Sequence, residues 1–337
     1  ALRRVPDTDV QVVLLGDETA LKHARSLGEE ALFHPAWELK WASRCELLAG
    51  LLRRRYPFYK PHVVVFDMYD FADTFWAREF FPQLFPLSVL FGLDVYTRRS
   101  PRMERARYRA PQFHYVVNSL LAPFGALKSE TGGQKRFIGT DYLILPPELT
   151  QLKRWKPAKH QGDAPVPVFL GGGEVVVAPA LVKALGGKAL RDRRFAFITS
   201  YQGLLHGQLP SNVEAWPLAD SRKAFYKLFL DAPFGLASCG LTLYELSHLG
   251  VPLVLVPVVA HQVSTAGKFS AAGFGVPVLP AEQDFADVLA AAVEQMDDEE
   301  FRRGQSDTGR KLVDGGGLKR VIALIRRAVK EASQKLA

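Results

Sequence analysis

From Val166 to the carboxyl terminus the chain repeats one pattern: a short apolar run, a turn of small or polar residues, then a stretch with apolar positions at helical spacing. VPVFLGGGE leads into VVVAPALVKALGG, and RRFAFITSYQG and SNVEAWPLA are followed by SRKAFYKLFLDA. PFGLASCG then leads into LTLYELSHLG, and VPLVLVPV into STAGKFSAAG and FGVPVLP. Runs this uniformly apolar leave neither face for water, so the strands are predicted to be buried on both sides, parallel, and joined by helical crossovers. Helices over Asp284 to Met296 and from Gly317 onward are predicted to close the chain.

The first half reads the same way. VQVVLLG (Val10 to Gly16), ALFHP, PHVVVFDMYD, LFPLSVLFGLD and FHYVVNSL read as strands, and ETALKHARSLG and WELKWASRCELLAGLLRRRY as helices. The prediction is an α/β protein of two doubly wound, parallel-sheet domains: residues 1–155, a Pro- and Gly-rich linker at 156–163, and residues 164–337. A length of 337 residues suits two domains at roughly 100 to 200 residues each. In such sheets ligands sit outside the carboxyl ends of the strands, and the cleft between two domains is the default site. Asp67, Tyr69, Asp94 and Asn118 fall at or just past those ends, and Tyr142 follows a short way on. The opening ALRRVPDTD resembles the tail of a first helix, so a further strand and loop are expected before Ala1.

Bulk properties remove several classes of function. No window approaches the roughly 18 consecutive apolar residues of a membrane span, and no signal-peptide pattern opens the chain, so a cytoplasmic location is expected. Cys45 and Cys239 lack metal or CxxC spacing and read as buried thiols. HExxH and GxSxG are absent, which gives metal-dependent and serine-hydrolase chemistry little support. The net charge of +8 gathers in LLRRR, in YTRRSPRMERARYR and in the last helix. Without a nucleic-acid module beside it, that charge argues for no nucleic-acid partner; peripheral contact with a membrane surface stays open.

Three features carry chemistry in the second half. FLGGGE places Gly172 and Gly173 between a strand and a helix, where backbone N–H groups can receive a phosphate; a plain tight turn is the alternative. Ser238, Cys239 and Gly240 repeat that arrangement, with Thr242 in the next helical turn; Ser238 or Thr242 would either cap the helix or reach a phosphate oxygen. Glu245, one turn further in, suits the two hydroxyls of a ribose, or is simply solvated. AHQ (Ala260 to Gln262) is predicted to end the following strand, so that His261 and Gln262 overlook the same crevice. Together these features outline a nucleotide-sized pocket.

ASCGLTLYELSHLGVPLVLVPVVAHQ resembles the nucleotide-binding half of the GT-B superfamily, in particular the nucleotide-sugar hydrolases of pseudaminic acid biosynthesis and their spore-coat polysaccharide relatives. VVVFDMYDFADTFW, LFGLD, YVVNSLL, IGTDYLILPPEL and FLGGGE resemble further segments of that family in the same order. Departures are Val95 in place of a second Asp, Pro146 near an expected Arg, Cys239 within the Ser-Gly turn and His261 in place of Asn. The family's Gly-x-Gly-His segment, which carries its histidine base, would lie before Ala1.

The resemblance implies a GT-B fold with two Rossmann-like domains facing across a cleft. UDP would lie on the second domain, with Gly172, Gly173, Ser238, Gly240 and Thr242 near phosphate, Glu245 on ribose, and Tyr142, His261 and Gln262 toward sugar or diphosphate. Asp67, Tyr69, Asp94 and Asn118 would supply the catalytic face, with neither metal nor cofactor. It implies an inverting hydrolase that releases UDP and a free amino-deoxy sugar from a UDP-sugar. The alternatives are a glycosyltransferase acting on a sugar or lipid-linked acceptor, and a non-catalytic nucleotide-sugar binding protein.

Overall fold

A computed structural model describes residues 14–16, 31–33, 50, 63–67, 88–93, 115–118, 135–157, 164–171, 174–205, 207–281 and 283–336. Contacts divide the chain into two units: residues 1–116 with 127–135 and 322–337, and residues 117–126 with 136–321. In contact terms, therefore, residues 136–155 group with the second unit rather than ending the first domain. The last part of the final helix groups with the first unit.

Toward the amino terminus, β1 (Leu14–Gly16) and β2 (Ala31–Phe33) form a parallel pair. β3 (Val63–Asp67), β4 (Val89–Leu93), β5 (Tyr115–Asn118) and β6 (Lys135–Ile138) lie side by side in that order in a second sheet, β3 parallel to β4. The strands predicted from the apolar runs are all present at their cores, and β6 was not foreseen. Phe91 and Tyr115, both fully buried, stack with centroids 5.5 Å apart. Lys135 donates to the Tyr115 hydroxyl at 3.3 Å and pairs with Glu331, which ties the carboxyl-terminal helix to this unit.

The second unit is fully wound. Its strands are β7 (Val166–Phe169), β8 (Phe195–Thr199), β9 (Val213–Pro217), β10 (Gly235–Ala237), β11 (Leu253–Leu255) and β12 (Val276–Pro277). All pair in parallel, in the order β12-β11-β10-β7-β8-β9. The helices are α1 (Glu174–Leu185), the single turn α2 (Gln202–Leu205), α3 (Arg222–Leu230), α4 (Leu241–Leu249), α5 (Ala260–Ala271), α6 (Phe285–Gln295), α7 (Glu299–Leu312) and α8 (Gly317–Leu336). No helix among the described residues is long and apolar enough to cross a membrane.

Strand periodicity sorts the core into two layers. Val254 and Val256 face a cluster built with α1 and α6, whereas Leu253 and Leu255 face one built with α3, α4 and α5. The second layer also takes in Leu143, Leu145, Leu149 and Trp155. Trp155 is buried, its indole N–H donating to the Ala232 carbonyl at 2.9 Å and its backbone N–H to Leu249 at 2.9 Å. These contacts are why residues 136–155 belong to the second unit.

Helix α7 was missed in the sequence, and its composition explains why. Its exposed face is charged and Gly304 and Gly309 interrupt it, which lowers helix propensity. Its start is nonetheless well capped: the Asp298 carboxylate accepts from the N–H groups of Glu300 at 2.8 Å and Phe301 at 3.2 Å. Gly309 is required by packing, since a Cβ there would come within 2.9 Å of the Ser247 carbonyl and 2.5 Å of the Phe274 ring.

Candidate functional site

In the six-stranded sheet of the second unit β7 lies beside both β8 and β10, so the winding reverses between β7 and β10. The helices that follow these two strands, α1 and α4, accordingly cover opposite faces. In doubly wound sheets such a reversal leaves a crevice outside the carboxyl ends of the two strands. Both glycine-bearing turns singled out in the sequence end there.

The turn after β10 is drawn tightly into the sheet. Ser238 donates its N–H to the Phe169 carbonyl at 3.0 Å, continuing the ladder one residue past the strand. Gly171, at the end of β7, has φ +66°, and a Cβ on it would stand 3.8 Å from the Ser238 Oγ. Its left-handed conformation, which favours glycine, turns the chain at that point. Gly172 and Gly173 lie outside the described residues.

Helix α4 begins after Gly240 with no side chain capping it, so the sequence-based option of a Ser238 or Thr242 cap is not realised. Helix α5 likewise has no side-chain cap. Two uncapped helix starts at neighbouring strand ends concentrate backbone N–H groups and positive dipole ends over the crevice.

AHQ does not end a strand as expected; Ala260, His261 and Gln262 form the first turn of α5. His261 is half-buried there, whereas Gln262 is only 8% exposed. The Gln262 Oε1 accepts from Val258 N–H at 2.9 Å and from Cys239 N–H at 3.3 Å. It thereby pins the loop after β11 to the turn after β10. That oxygen is committed to the backbone, a role that sequence reasoning did not anticipate. Burial pushes the Cys239 thiol up to about 12, so this cysteine is inert packing rather than a nucleophile.

Glu245 shares a face of α4 with Thr242 and with Leu241, which is 64% exposed at the mouth of the crevice. The Glu245 carboxylate is half-buried and accepts from the Tyr226 hydroxyl on α3. Burial raises its pKa above the usual carboxylate range, while the Tyr226 hydrogen bond and the nearby Arg222 pull it partly back. Tyr226 in turn is raised, first by burial and then by the Glu245 charge. Tyr226 and Arg222 escaped the sequence reading because the pattern of α3 identifies a helix without saying which helix it faces.

The remaining expected residues are dispersed. Asp67 ends β3 opposite Leu93, the residue before Asp94, and Asn118 ends β5, the strand next to β4. Asp67 and the end of β4 therefore reach the same level of two neighbouring parallel strands. Tyr69 and Asp94 lie outside the described residues. Tyr142 sits in a 3-10 turn (Thr140–Tyr142), edge-on to Phe137 at 5.5 Å, in a stretch held near the start of α8 by the Arg320 hydrogen bond to the Asp141 carbonyl at 2.8 Å. No group of three or more potential metal ligands occurs among the described residues.

No protein-family model matches the chain. It is 24% identical over 217 residues to the spore coat polysaccharide biosynthesis protein SpsG of Bacillus subtilis (strain 168); the match covers 63% of this chain and 64% of that protein. Among solved structures, the glycotransferase of kitacinnamycin superposes with a TM-score of 0.63 at 15% identity, covering 94% of this chain and 91% of the other. Arabidopsis thaliana UGT89C1, complexed with UDP-L-rhamnose, superposes with a TM-score of 0.62 at 11% identity, covering 95% and 92%. The fold expected from the sequence, two Rossmann-like units of GT-B type, is the fold observed.

Proposed function

We propose that this GT-B chain binds a UDP-sugar at the switch point of the six-stranded sheet in its second unit and transfers the sugar to an acceptor hydroxyl. The observation that carries the reading is the crevice itself: two uncapped helix starts and the Gly171 turn meet there, with a half-buried carboxylate one turn into α4. Backbone N–H groups suit the diphosphate, and Glu245 suits the ribose hydroxyls. The glycosyltransferase neighbours, one of them holding UDP-L-rhamnose, favour transfer over the hydrolysis that the sequence resemblance put first. Hydrolysis, with water as the nucleophile, is the second reading and rests on the Asp-x-Tyr and Asn strand ends of the first half.

In this reading the acceptor oxygen attacks the anomeric carbon and loses its proton to a base, for which Asp67 and Asp94 are the candidates on the strand ends. The bond from the anomeric carbon to the diphosphate oxygen breaks, and UDP departs with the electron pair. Charge growing on the leaving diphosphate meets the starts of α4 and α5, which are already oriented, so the site stabilises it without rearranging. Gln262 serves by holding the Ser238–Gly240 turn in place, while Ser238, Thr242 and His261 border the diphosphate and sugar. Tyr69 and Asn118 complete the catalytic side.

The test is UDP release from a panel of UDP-sugars, with and without added acceptors. Turnover that depends on an acceptor supports transfer, and release of free sugar at the same rate without one moves the assignment to hydrolysis. Failure of any UDP-sugar to bind would refute both.

A further inference from the structure

A second cavity of about 210 Å³ opens at the opposite end of α4, where the helix finishes rather than starts. It lies between the 3-10 turn Pro147–Gln151, the last turn of α4 and the α7–α8 loop, and all its lining belongs to the second unit. Leu149, Leu152 and Leu249 give it an apolar side. Thr150, Arg154, His248 and Asp314 give it a polar one.

Three of the four polar groups have settled roles. The Asp314 carboxylate is occupied by the N–H of Gly316 at 2.8 Å and by the Arg320 guanidinium. The Thr150 hydroxyl donates to the Pro147 carbonyl at 2.7 Å, which leaves its oxygen able to accept. His248, only 8% exposed, has its Nδ1 2.9 Å from the Val313 carbonyl. A carbonyl can only accept, so Nδ1 carries a proton, and in the neutral ring Nε2 presents a lone pair. Among the described residues nothing hydrogen-bonds that Nε2.

The ring is also held in place. Gly315, at φ +83°, lies against it so closely that a Cβ would come within 2.5 Å of the ring carbon Cε1. Arg154 meanwhile makes neither a hydrogen bond nor an ion pair among the described residues. The cavity thus combines an imidazole nitrogen open to the cavity, an exposed guanidinium with no ion-pair partner among the described residues, and an apolar wall.

We infer that this cavity binds a small hydroxycarboxylate, with its carboxylate on Arg154, its hydroxyl donating to His248 Nε2 and its carbon chain against Leu149 and Leu249. The volume corresponds to about seven waters at roughly 30 Å³ each, which limits the ligand to a few carbons. Such a ligand sits at the far end of α4 from the crevice, about 10 Å along the helix from Leu241 to His248 at 1.5 Å per residue. It therefore does not compete with a nucleotide.

The test is ligand-observed NMR titration of the full chain with glycerate, using propionate (no hydroxyl) and glycerol (no carboxylate) as controls. Saturable glycerate binding is expected, with each control weaker by about tenfold or more. Arg154→Gln, at an exposed position, is expected to weaken glycerate by a similar factor while leaving the UDP titration unchanged. His248→Phe, where it folds, is expected to abolish the preference for glycerate over propionate. The inference is overturned by the absence of saturable binding, by unchanged affinity in Arg154→Gln, by displacement of glycerate by UDP, or by a soaked crystal showing only water at Nε2.

Discussion

Replacing Gln262 with methionine keeps the length of the side chain and removes the acceptor that two loops share. The Val258 N–H, at 2.9 Å, and the Cys239 N–H, at 3.3 Å, both lose their partner. A buried donor left unsatisfied costs about 1–3 kcal/mol, and the longer Cys239 bond belongs at the low end, so the pair sums to about 2–4 kcal/mol. At about 2–4 °C per kcal/mol for a unit of this size, the melting temperature should fall by about 4–16 °C. Calorimetry of the wild type, Gln262→Met and Gln262→Glu checks this. Glutamate retains an oxygen for both N–H groups and should recover most of the stability. Amide hydrogen exchange at Cys239 and Val258 should accelerate in the methionine variant only. A methionine variant as stable as the wild type would show that the clamp contributes nothing.

Glu245→Ala should weaken UDP binding about 10–100-fold by calorimetric titration without unfolding the chain, because a charge-assisted hydrogen bond is worth about 1.5–3 kcal/mol; unchanged affinity would remove the ribose from that carboxylate. The folded pKa of Glu245 is raised, so its favourable contribution to stability is full below about 4.3 and is lost as pH rises through the folded value; Glu245→Gln should flatten that part of the stability–pH curve. Asp314 has the opposite sign: the Arg320 guanidinium holds its carboxyl at about 2, so the advantage of the wild type over Asp314→Asn is present above about 3.9 and disappears as pH falls toward that lower value. Because the pair is well exposed, that advantage should be small and should shrink with added salt in a denaturation series. Gly309→Ala should destabilise by about 1–3 kcal/mol, since its methyl group meets the Ser247 carbonyl and the Phe274 ring.

The strands and most helices of the second unit were legible because β7, β8, β10 and β11 are apolar on both faces and end at small or polar turns. What periodicity could not supply was pairing. Nothing in VPVFL or FGLAS announces that these two runs lie side by side, yet that adjacency makes the crevice. Ser238, Gly240 and Glu245 were recognisable as residue types suited to a nucleotide, whereas Tyr226 and Arg222 belong to α3, which approaches Glu245 only after folding. Gln262 was noticed for its polarity while its clamp on two backbone N–H groups was not, because a carbonyl oxygen aimed at the backbone and one aimed at a ligand look identical in sequence. Helix α7 went unread because its buried face includes Arg302, Gln305 and Ser306 rather than an apolar stripe.

The reversal between β7 and β10 has a consequence for how such a protein can change over generations. The opening over the strand ends exists because of the order in which strands were laid down, and no single side chain props it apart. Under the proposed function, substitutions at Leu241 or His261 would alter what the crevice prefers while the strand order beneath stays as it is. Preference for a ligand could then drift at the exposed positions, whereas Gln262, which also clamps two loops, is held by both demands.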